Sequence, residues 1–362
     1  MYDLIVIGGG PAGTSAAITA VRDGARVLLL ERGRFPRHKV CGEFVSSESL
    51  DLLAALLDGA RAALLHDAVR IPQARLFLDG RVLETVIQPP AASIARLNLD
   101  AALWDSAASA GVDARQQTAV RSISGSGPFR LATSAGDLEA RAVINASGRW
   151  SNLNAAENGT RREKWLGLKA HFAEASPTSS VDLYFFDGGY CGVQPVEVEG
   201  GRSESRVNAC AMVRAEVAST LAEALAQHPE LRERSRHWRP LSEPVSTSPL
   251  IFRDPQSERD GVLMAGDAAG FVDPFVGDGI SLALRSGTLA ARCLLRFLRS
   301  EFSLHEAAQD YRKSYEQQLA PVFRASSKIR RTLVLPRVLR TPLLFLLENT
   351  PAITQYLMSK TR

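Results

Sequence analysis

Three glycines near the start of the chain have the spacing of a phosphate-binding loop. Gly8, Gly10 and Gly13 separate a short apolar run, residues 3–7, from an alanine-rich segment at 11–22. In this order a strand turns at Gly8, the backbone at Gly10 approaches a pyrophosphate, and Gly13 lets the helix pack on the strand. Free N–H groups at the helix start attract the phosphate charge. The motif predicts a dinucleotide site on a β–α–β unit.

An acidic residue stands where such a unit meets the ribose. Glu31 closes the second apolar run and follows Gly13 by 18 positions. A carboxylate there accepts ribose hydroxyl protons, which favours FAD or NAD over NADP because the 2′-hydroxyl must be free. We assign Pro11 and Ala12, at the helix start, and Arg32, beside the carboxylate, to the same site.

A second glycine-rich loop lies far along the chain. The segment from Gly266 and Asp267 to Gly277 follows an apolar strand, and Gly279 and Ile280 then open a helix. Asp267 can accept hydrogen bonds from ribityl hydroxyls, and the helix start offers N–H groups to the edge of a flavin ring. The helix dipole would stabilise negative charge on the reduced ring. A surface Gly-Asp turn is the alternative interpretation.

The composition is that of an ordinary globular protein. The 362 residues are 45% hydrophobic and 23% charged, a length that can hold two domains. The four cysteines include no Cys-x-x-Cys pair, so we predict no metal site, no disulfide framework and a reduced, cytoplasmic setting. The first strand lacks the basic leader of a signal peptide, and no apolar run reaches the ~18 residues of a membrane span.

Positive charge is concentrated at the end of the chain. Residues 324–362 contain eight Lys or Arg and one acidic residue, whereas the whole chain has a net charge of +4. The rest is therefore net acidic, and without a recognised motif this charge does not predict nucleic-acid binding. Basic residues beside apolar clusters suit peripheral contact with an anionic membrane surface. A helical clasp over the substrate domain is the other interpretation, and the one that we favour.

Strand and helix patterns alternate at both ends of the chain, and strands dominate the middle. Helices are predicted over 46–66, 97–110, 214–235, 284–299 and 304–328, and strand-like runs fill 165–212. Asp79-Gly80 predicts a hairpin turn. We expect an α/β protein in which a Rossmann-like domain is interleaved with an antiparallel-sheet substrate domain and followed by C-terminal helices. The expected bounds are 1–68, 96–153 and 255–300 for the nucleotide domain, 69–95 and 154–254 for the substrate domain, and 301–362 for the C-terminal segment.

These motifs together resemble a superfamily of FAD-dependent oxidoreductases that contains aromatic hydroxylases, flavin halogenases and geranylgeranyl reductases. The first glycine loop with Glu31 resembles its ADP-binding fingerprint, and the loop at Gly266-Asp267 resembles its ribityl and isoalloxazine loop. Arg96-x-x-Leu99-Asp100 resembles the arginine motif that opens a helix and contacts FAD. The resemblance covers residues 1 to about 315.

The resemblance implies a cofactor and the type of domain that holds it. The nucleotide domain would be an FAD-binding domain of the glutathione reductase type, with FAD held without a covalent bond. Arg96 and Val120 would contact the cofactor. Electrons would come from NAD(P)H or from a separate reductase.

The stretch FPRHKVCGEF, residues 35–44, bears on the branch of the superfamily. It resembles both halogenases and geranylgeranyl reductases, and its Cys41-Gly42 pair places the chain closest to the reductase branch. Halogenases need a downstream lysine, and none stands between Lys39 and Lys164, so halogenation is not expected.

A second stretch bears on the substrate. Tyr190 and Pro195 resemble the YxWxFP pocket motif of the reductases, but Gly192 and Gln194 replace its aromatic residues. The exchange widens the pocket and adds an amide, which favours an oxygenated aromatic or polyketide-like compound over a purely polyprenyl one.

We predict an oxidoreductase of a hydrophobic small molecule, first as a monooxygenase that uses O2 through a flavin C4a-hydroperoxide. The alternatives are a geranylgeranyl reductase-like ene-reductase of a prenyl or lipid C=C bond, with Cys41 or water as proton donor, and a non-catalytic electron-transfer flavoprotein. Structural packing is an alternative role for Cys41, Tyr190 and His171. The expected catalytic residues are Cys41, Tyr190 and Pro274, and the expected pocket residues are His171, Tyr190, Gln194, Phe271 and Phe275.

Overall fold

The computed structural model describes residues 1–149, 153, 164–197, 205–247, 250, 252, 254–271 and 277–333, with backbone only at residue 60 and at 327–333. Two predicted site residues, Pro274 and Phe275, lie outside the described residues, as does the basic tail beyond residue 333. What the sequence predicts for them stays a prediction.

The first of two sheets has eight strands and a parallel centre. Its parallel strands run in the order β17 (Val262–Met264), β9 (Gly136–Asn145), β1 (Tyr2–Ile7), β2 (Val27–Leu30) and β6 (Asp113–Arg115). Antiparallel strands β16 (Glu258–Arg259), β8 (Phe129–Thr133) and β7 (Val120–Ser124) extend it. The apolar runs of β1 and β2 are almost fully buried, as expected for parallel strands that are covered on both faces.

Three helices accompany this sheet and bring the two glycine loops together. They are α1 (Pro11–Arg22), α4 (Arg96–Ser109) and α7 (Gly279–Leu298). Helix α7 lies so close to α1 that a Cβ on Gly287 would be 1.9 Å from the carbonyl oxygen of Ala12. A Cβ on Gly266 would be 2.9 Å from the Cβ of Ala12, so the second loop lies against the start of α1.

The second sheet has nine strands and is antiparallel except for one pair. Its order is β14 (Arg239–Pro240), β10 (Trp165–Ala173), β13 (Arg206–Arg214), β12 (Gly189–Val196), β11 (Ser180–Phe186), β4 (Val69–Leu78), β5 (Arg81–Ser93) and β3 (Phe44–Val45), and β15 (Val245–Thr247) pairs with β10. Only β11 and β4 pair in parallel among these described strands. The hairpin between β4 and β5 is confirmed, because Asp79 and Gly80 both have positive φ, 56° and 76°.

Three predicted helices are interrupted, the third of them, 304–328, at Leu319. The 46–66 segment contains 3-10 turns at Ser47–Ser49 and Gly59–Ala62 and the helices α2 (Leu50–Leu56) and α3 (Ala63–Asp67), because the backbone becomes extended at Leu57. The 214–235 segment forms α5 (Leu221–Ala226) and α6 (Pro229–Ser235), where Pro229 occupies the first turn of a new helix. Helices α8 (Leu304–Gln318) and α9 (Ala320–Leu333) follow α7. The α/β fold class is confirmed.

Candidate active site

The first glycine loop is tightly packed at Gly8 and Gly13, whereas its front, at Gly10, is open. Gly8 has φ +104°, and a Cβ on Gly13 would lie 1.8 Å from the Gly8 carbonyl oxygen. Both positions therefore require glycine. A Cβ on Gly10 would have as its nearest neighbours the Lys39 ammonium at 3.7 Å and the Arg96 guanidinium at 3.9 Å. The front of the loop thus faces two cations.

Glu31 is buried and is bonded to the same loop. Its carboxylate accepts the N–H of Gly9 at 2.9 Å and of Gly33 at 2.7 Å, and pairs with Arg37 at 2.9 Å. Burial by itself would raise the pKa of Glu31, but the Gly33 hydrogen bond and the Arg37 charge hold it below its ordinary value. An ionised carboxylate offers about four acceptor positions, so one is left for a ribose hydroxyl. The neighbouring Arg32 is exposed.

Arg96, the first residue of α4, is a buried cation over the glycine loop. It donates to both oxygens of Asp100 at 2.7 and 2.9 Å, and Lys39 pairs with the same carboxylate at 3.2 Å. Burial by itself would lower the pKa of Arg96, but Asp100 and the Cys41 sulfur raise it above its ordinary range. Two cations share one carboxylate, which leaves positive charge for a pyrophosphate.

Two carboxylates fix the start of α4. Glu43 accepts the backbone N–H of Arg96 at 2.8 Å, and Glu197, which follows β12, accepts the N–H of Ala95 at 2.8 and 3.0 Å. Negative charge at a helix N-terminus is stabilised by the free N–H groups and the helix dipole. The start of α4 is therefore held by two segments that adjoin the second sheet.

The second loop places Asp267 next to a cation. The Asp267 carboxylate is 37% exposed and lies 3.4 Å from the Arg149 Nε. The Arg149 guanidinium lies 4.2 Å from the centre of the Phe271 ring. Asp267 is thus accessible to a ribityl hydroxyl, and Arg149 connects it to an aromatic residue of the predicted pocket.

The start of α7 borders open space. Gly277 has φ +78°, and a Cβ there would lie 2.9 Å from the Phe44 ring. The carboxylate of Asp278 accepts from Ser46 Oγ at 3.0 Å and does not cap the first turn of α7. A Cβ on Gly279 would meet no atom within 4 Å, and the next residue, Ile280, is buried.

These features fit FAD. The open front of Gly10 and its two cations suit a pyrophosphate, Glu31 suits the ribose, and Asp267 suits the ribityl chain. The open start of α7 at Gly279 can take the edge of the flavin ring. Among the other predicted cofactor residues, Pro11 and Ala12 lie in the first turn of α1, whereas Val120 packs in the core of the first sheet.

Cys41 lies between the cofactor arginine and the second sheet. On β13, the Asn208 Nδ2 donates to the carbonyl oxygens of Cys41 at 3.0 Å and of Gly42 at 2.9 Å. The Cys41 sulfur accepts the N–H of Glu43 at 3.3 Å and lies close enough to the Arg96 guanidinium to raise the pKa of that arginine. The thiol is half-buried. This arrangement fixes a thiol beside a permanent cation.

A buried ionic cluster lies next to Cys41. Glu43 pairs with Lys169 at 2.6 Å and with His171 Nε2 at 2.7 Å, and all three side chains are at most 2% exposed. Lys169 and His171 alternate along β10 and so point to the same face of the sheet. Burial by itself would raise the pKa of Glu43, but the hydrogen bond from His171 and the charge of Lys169 lower it.

The same face of the second sheet is polar at one end and apolar at the other. His171, Asn208 and Gln194 are cross-strand neighbours at the polar end, and Gln194 donates to Ser93 Oγ at 2.6 Å. Tyr190 lies opposite Met212 at the apolar end. The apolar cluster there consists of Tyr190, Met212, Leu250, Trp165, Leu183, Phe185, Phe252 and Phe271. The described pocket residues of the sequence prediction therefore divide between these two ends.

Sequence reasoning missed three residues of this site. Glu43 stands inside the stretch of residues 35–44, but no local pattern indicates its role. No local pattern indicates a role for Asn208 either. Lys169 lies just beyond the interval searched for a halogenase-type lysine. A signal for Lys169 was present, because two polar residues two apart in a buried strand, Lys169 and His171, indicate a polar face. Its ammonium is buried against Glu43.

We expect the Glu43 cluster to make the protein sensitive to acid. The ordinary pKa of this carboxyl is 4.5 and the folded value is lower. Its stabilisation is therefore fully present above about pH 4.5 and is lost as the pH falls through the folded pKa. The groups that face Glu43 are Lys169 and His171 on β10, Arg96 on α4, Glu197 after β12 and Cys210 on β13.

Urea unfolding between neutral and acidic pH measures this effect. Glu43→Gln should cost about 3–5 kcal/mol at neutral pH, because Lys169 loses its partner in the interior. The variant should then lose less stability than the wild type on acidification. If the free energy of unfolding fell equally with pH in the two proteins, Glu43 would not titrate as proposed.

The fold and the site define a flavin-binding oxidoreductase, and comparison with known proteins agrees. A family described as FAD binding domain matches residues 1–325. The chain belongs to this family of FAD-binding domains, and the predicted superfamily is confirmed.

Several of the curated relatives are named as reductases. A digeranylgeranylglycerophospholipid reductase of Methanothermobacter thermautotrophicus is 25% identical over 317 residues, which cover 80% of this chain and 76% of the relative. A menaquinone reductase of Mycolicibacterium smegmatis is 26% identical over 369 residues, which cover 93% of this chain and 86% of the relative.

Solved structures share the fold across different activities. A flavin-dependent brominase superimposes with a TM-score of 0.79 at 19% identity, covering 99% of this chain and 93% of that one. A geranylgeranyl bacteriochlorophyll reductase-like protein from Thermoplasma acidophilum gives 0.74 at 19% identity, covering 94% and 90%. Within the described ranges, no helix has both the length and the apolar character needed to cross a bilayer.

Proposed function

We propose that the chain is an FAD-dependent reductase that saturates a carbon–carbon double bond in a hydrophobic substrate with an oxygenated ring or headgroup. One observation carries this proposal: Cys41 lies between the guanidinium of Arg96, whose pKa it raises, and Asn208 of the second sheet, which donates to the Cys41 carbonyl oxygen. A double-bond reductase needs a proton donor at this place, whereas a monooxygenase does not.

The reaction divides between cofactor and protein. When bound and reduced, FAD supplies a hydride, which carries both electrons to one carbon of the double bond. Cys41 supplies the proton to the other carbon, and its S–H bond breaks as the new C–H bond forms. The guanidinium of Arg96 balances the charge of the resulting thiolate until solvent returns a proton.

The face of the second sheet that is polar at one end and apolar at the other orients the substrate. Its apolar end, with Tyr190, Phe252 and Phe271, suits a hydrocarbon chain or ring and excludes water. The polar end, with His171 and Gln194, suits the oxygen atoms of a headgroup. The reductases among the relatives are named for substrates of this amphipathic kind, which supports reduction as the first candidate.

Monooxygenation, which the sequence favours, is the second candidate. The observation in its favour is the stacked pair of Phe252 and Phe271, 5.3 Å apart, whose apolar surface would keep water from the reacting atoms. Tyr190 could then orient a phenol. NAD(P)H and a separate reductase are alternative electron donors for either reaction.

Isotope labelling separates the two candidates. The FAD-loaded protein is reduced with dithionite and given a prenylated quinone with an unsaturated side chain. We expect anaerobic turnover to a product whose side chain carries two more hydrogen atoms, which separates it from the hydroquinone formed by reduction of the ring, and in D2O the proton from Cys41 should appear as deuterium on that side chain. Incorporation of ¹⁸O from ¹⁸O2, with no anaerobic product, would replace reduction by monooxygenation.

Membrane contact follows from the same substrate class. A prenylated lipid resides in a bilayer, and the basic residues beyond residue 333 would attract an anionic surface, with roughly 1 kcal/mol per Lys or Arg. We propose peripheral contact through this segment.

A further inference from the structure

The Cys41 loop is tied to helix α4 and to the second sheet by short polar contacts. On the nucleotide side, Lys39 pairs with Asp100 at 3.2 Å. On the substrate side, Asn208 donates to two consecutive carbonyl oxygens of the loop, those of Cys41 and Gly42, at 3.0 and 2.9 Å. The thiol therefore sits in a segment that both parts of the protein hold.

Glu43 contacts both parts of the protein that hold this loop. Its carboxylate receives the backbone N–H of Arg96 at 2.8 Å, the Lys169 ammonium at 2.6 Å and the His171 ring at 2.7 Å. The first partner opens α4 and the other two lie on β10. One buried carboxylate thus joins the helix that carries the cofactor arginine to a strand of the substrate sheet.

The backbone of Glu43 is in a conformation that needs such support. Its φ is +63°, in the left-handed region that is unfavourable for a residue other than glycine. In this conformation its N–H points to the Cys41 sulfur at 3.3 Å and its carbonyl accepts the N–H of Ile94 at 2.9 Å. The strain is offset by the three contacts of the carboxylate.

We propose that Glu43 is the positioning residue of the thiol, holding Cys41 against Arg96 and linking that geometry to the substrate sheet through Lys169 and His171. The inference rests on the proposed function only where it treats Cys41 as catalytic. Contact of substrate with β10 would be transmitted to Cys41 through this carboxylate.

Alkylation of the FAD-loaded protein with a bulky maleimide, followed by peptide mass spectrometry, tests the proposal. Glu43→Gln removes the charge and should raise the alkylation rate of Cys41 about tenfold, because the loop opens more often. Glu43→Asp keeps a carboxylate and should return the rate toward that of the wild type. Cys191 and Cys293 are internal references, because burial raises the pKa of each to about 12 and keeps it protonated.

A matched surface variant and a second cluster variant complete the test. Glu139→Gln breaks an exposed pair with Arg130 and should leave the Cys41 rate unchanged. Lys169→Met removes one of the three partners and should raise the rate less than Glu43→Gln does. Unchanged Cys41 rates in both Glu43→Gln and Lys169→Met would overturn the positioning role.

A spectroscopic readout distinguishes this proposal from the proposed function. In the wild type, alkylation of Cys41 should shift the visible absorption of the bound flavin, because the proposed function requires the thiol to lie at the ring. In Glu43→Gln the shift should be smaller. No shift in the wild type would contradict the role of Cys41 at the flavin, and hence the proposed function, whereas a full shift in Glu43→Gln would contradict the positioning by Glu43.

Discussion

A protein with Gly13→Val is expected to purify without FAD. A Cβ at this position would lie 1.8 Å from the Gly8 carbonyl oxygen, and that contact lies in the turn that must present N–H groups to the pyrophosphate. The chain can accept the side chain only by separating α1 from β1, which displaces the loop. The ratio of flavin to protein absorbance measures the result directly, and full flavin occupancy would refute the assignment of this loop.

Two further variants separate damage to the fold from damage to the cofactor site. Gly10→Ala adds a Cβ whose nearest neighbours, Lys39 and Arg96, are 3.7 and 3.9 Å away, so the protein should fold with an unchanged melting temperature. The methyl would nevertheless face the pyrophosphate, and we expect FAD affinity to fall about tenfold, or ~1.4 kcal/mol. Ala54→Val, at an exposed position of α2, controls for a β-branched residue in a helix and should bind FAD normally.

The parts of the site that sequence predicted are those built from local chemistry. The turn at Gly8, the helix start at Pro11 and the buried run of β2 each follow from a few neighbouring residues. The spacing to Glu31 then follows from the length of one β–α–β unit. The predicted fold class was confirmed for the same reason, because apolar runs and turn residues determine strands and helices along the chain.

The missed parts depend on contacts between distant segments. Glu43 and Lys169 are 126 residues apart, and no spacing rule links a loop before β3 to the middle of β10. Asn208 reaches Cys41 across 167 residues. Such partners are fixed by the way in which the second sheet packs on the first domain, which local patterns do not encode.

Broken helices show a similar limit at shorter range. The apolar periodicity of residues 46–66 predicts one helix, but the chain becomes extended at Leu57. Leu57 is 5% exposed and belongs to the main core cluster. The gain from burying this side chain outweighs helix continuity, and helix propensity alone cannot predict that outcome.

Cys41→Ser is expected to lower the rate of double-bond reduction about 10²-fold. A serine hydroxyl is a far weaker acid than a thiol, and loss of a positioned general acid typically costs 10²–10⁴-fold. The substitution is nearly isosteric, and the backbone carbonyl of residue 41 can still accept from Asn208. FAD content and melting temperature should therefore stay close to those of the wild type. Single-turnover formation of the product with a saturated side chain, from a prenylated quinone and the dithionite-reduced protein under anaerobic conditions, measures the step.

The matched control is Cys293→Ser in α7. Its thiol is buried and lies outside the candidate site, so reduction should proceed at the wild-type rate. The same Cys41→Ser protein under ¹⁸O2 distinguishes the reactions. A monooxygenase would retain its rate and its ¹⁸O-labelled product, because oxygen transfer to an electron-rich ring does not draw a proton from this thiol. A reductase would lose rate and show no label. Retention of the full anaerobic rate in Cys41→Ser would instead mean that water delivers the proton. Arg96 would then bind the pyrophosphate and have no role in proton transfer.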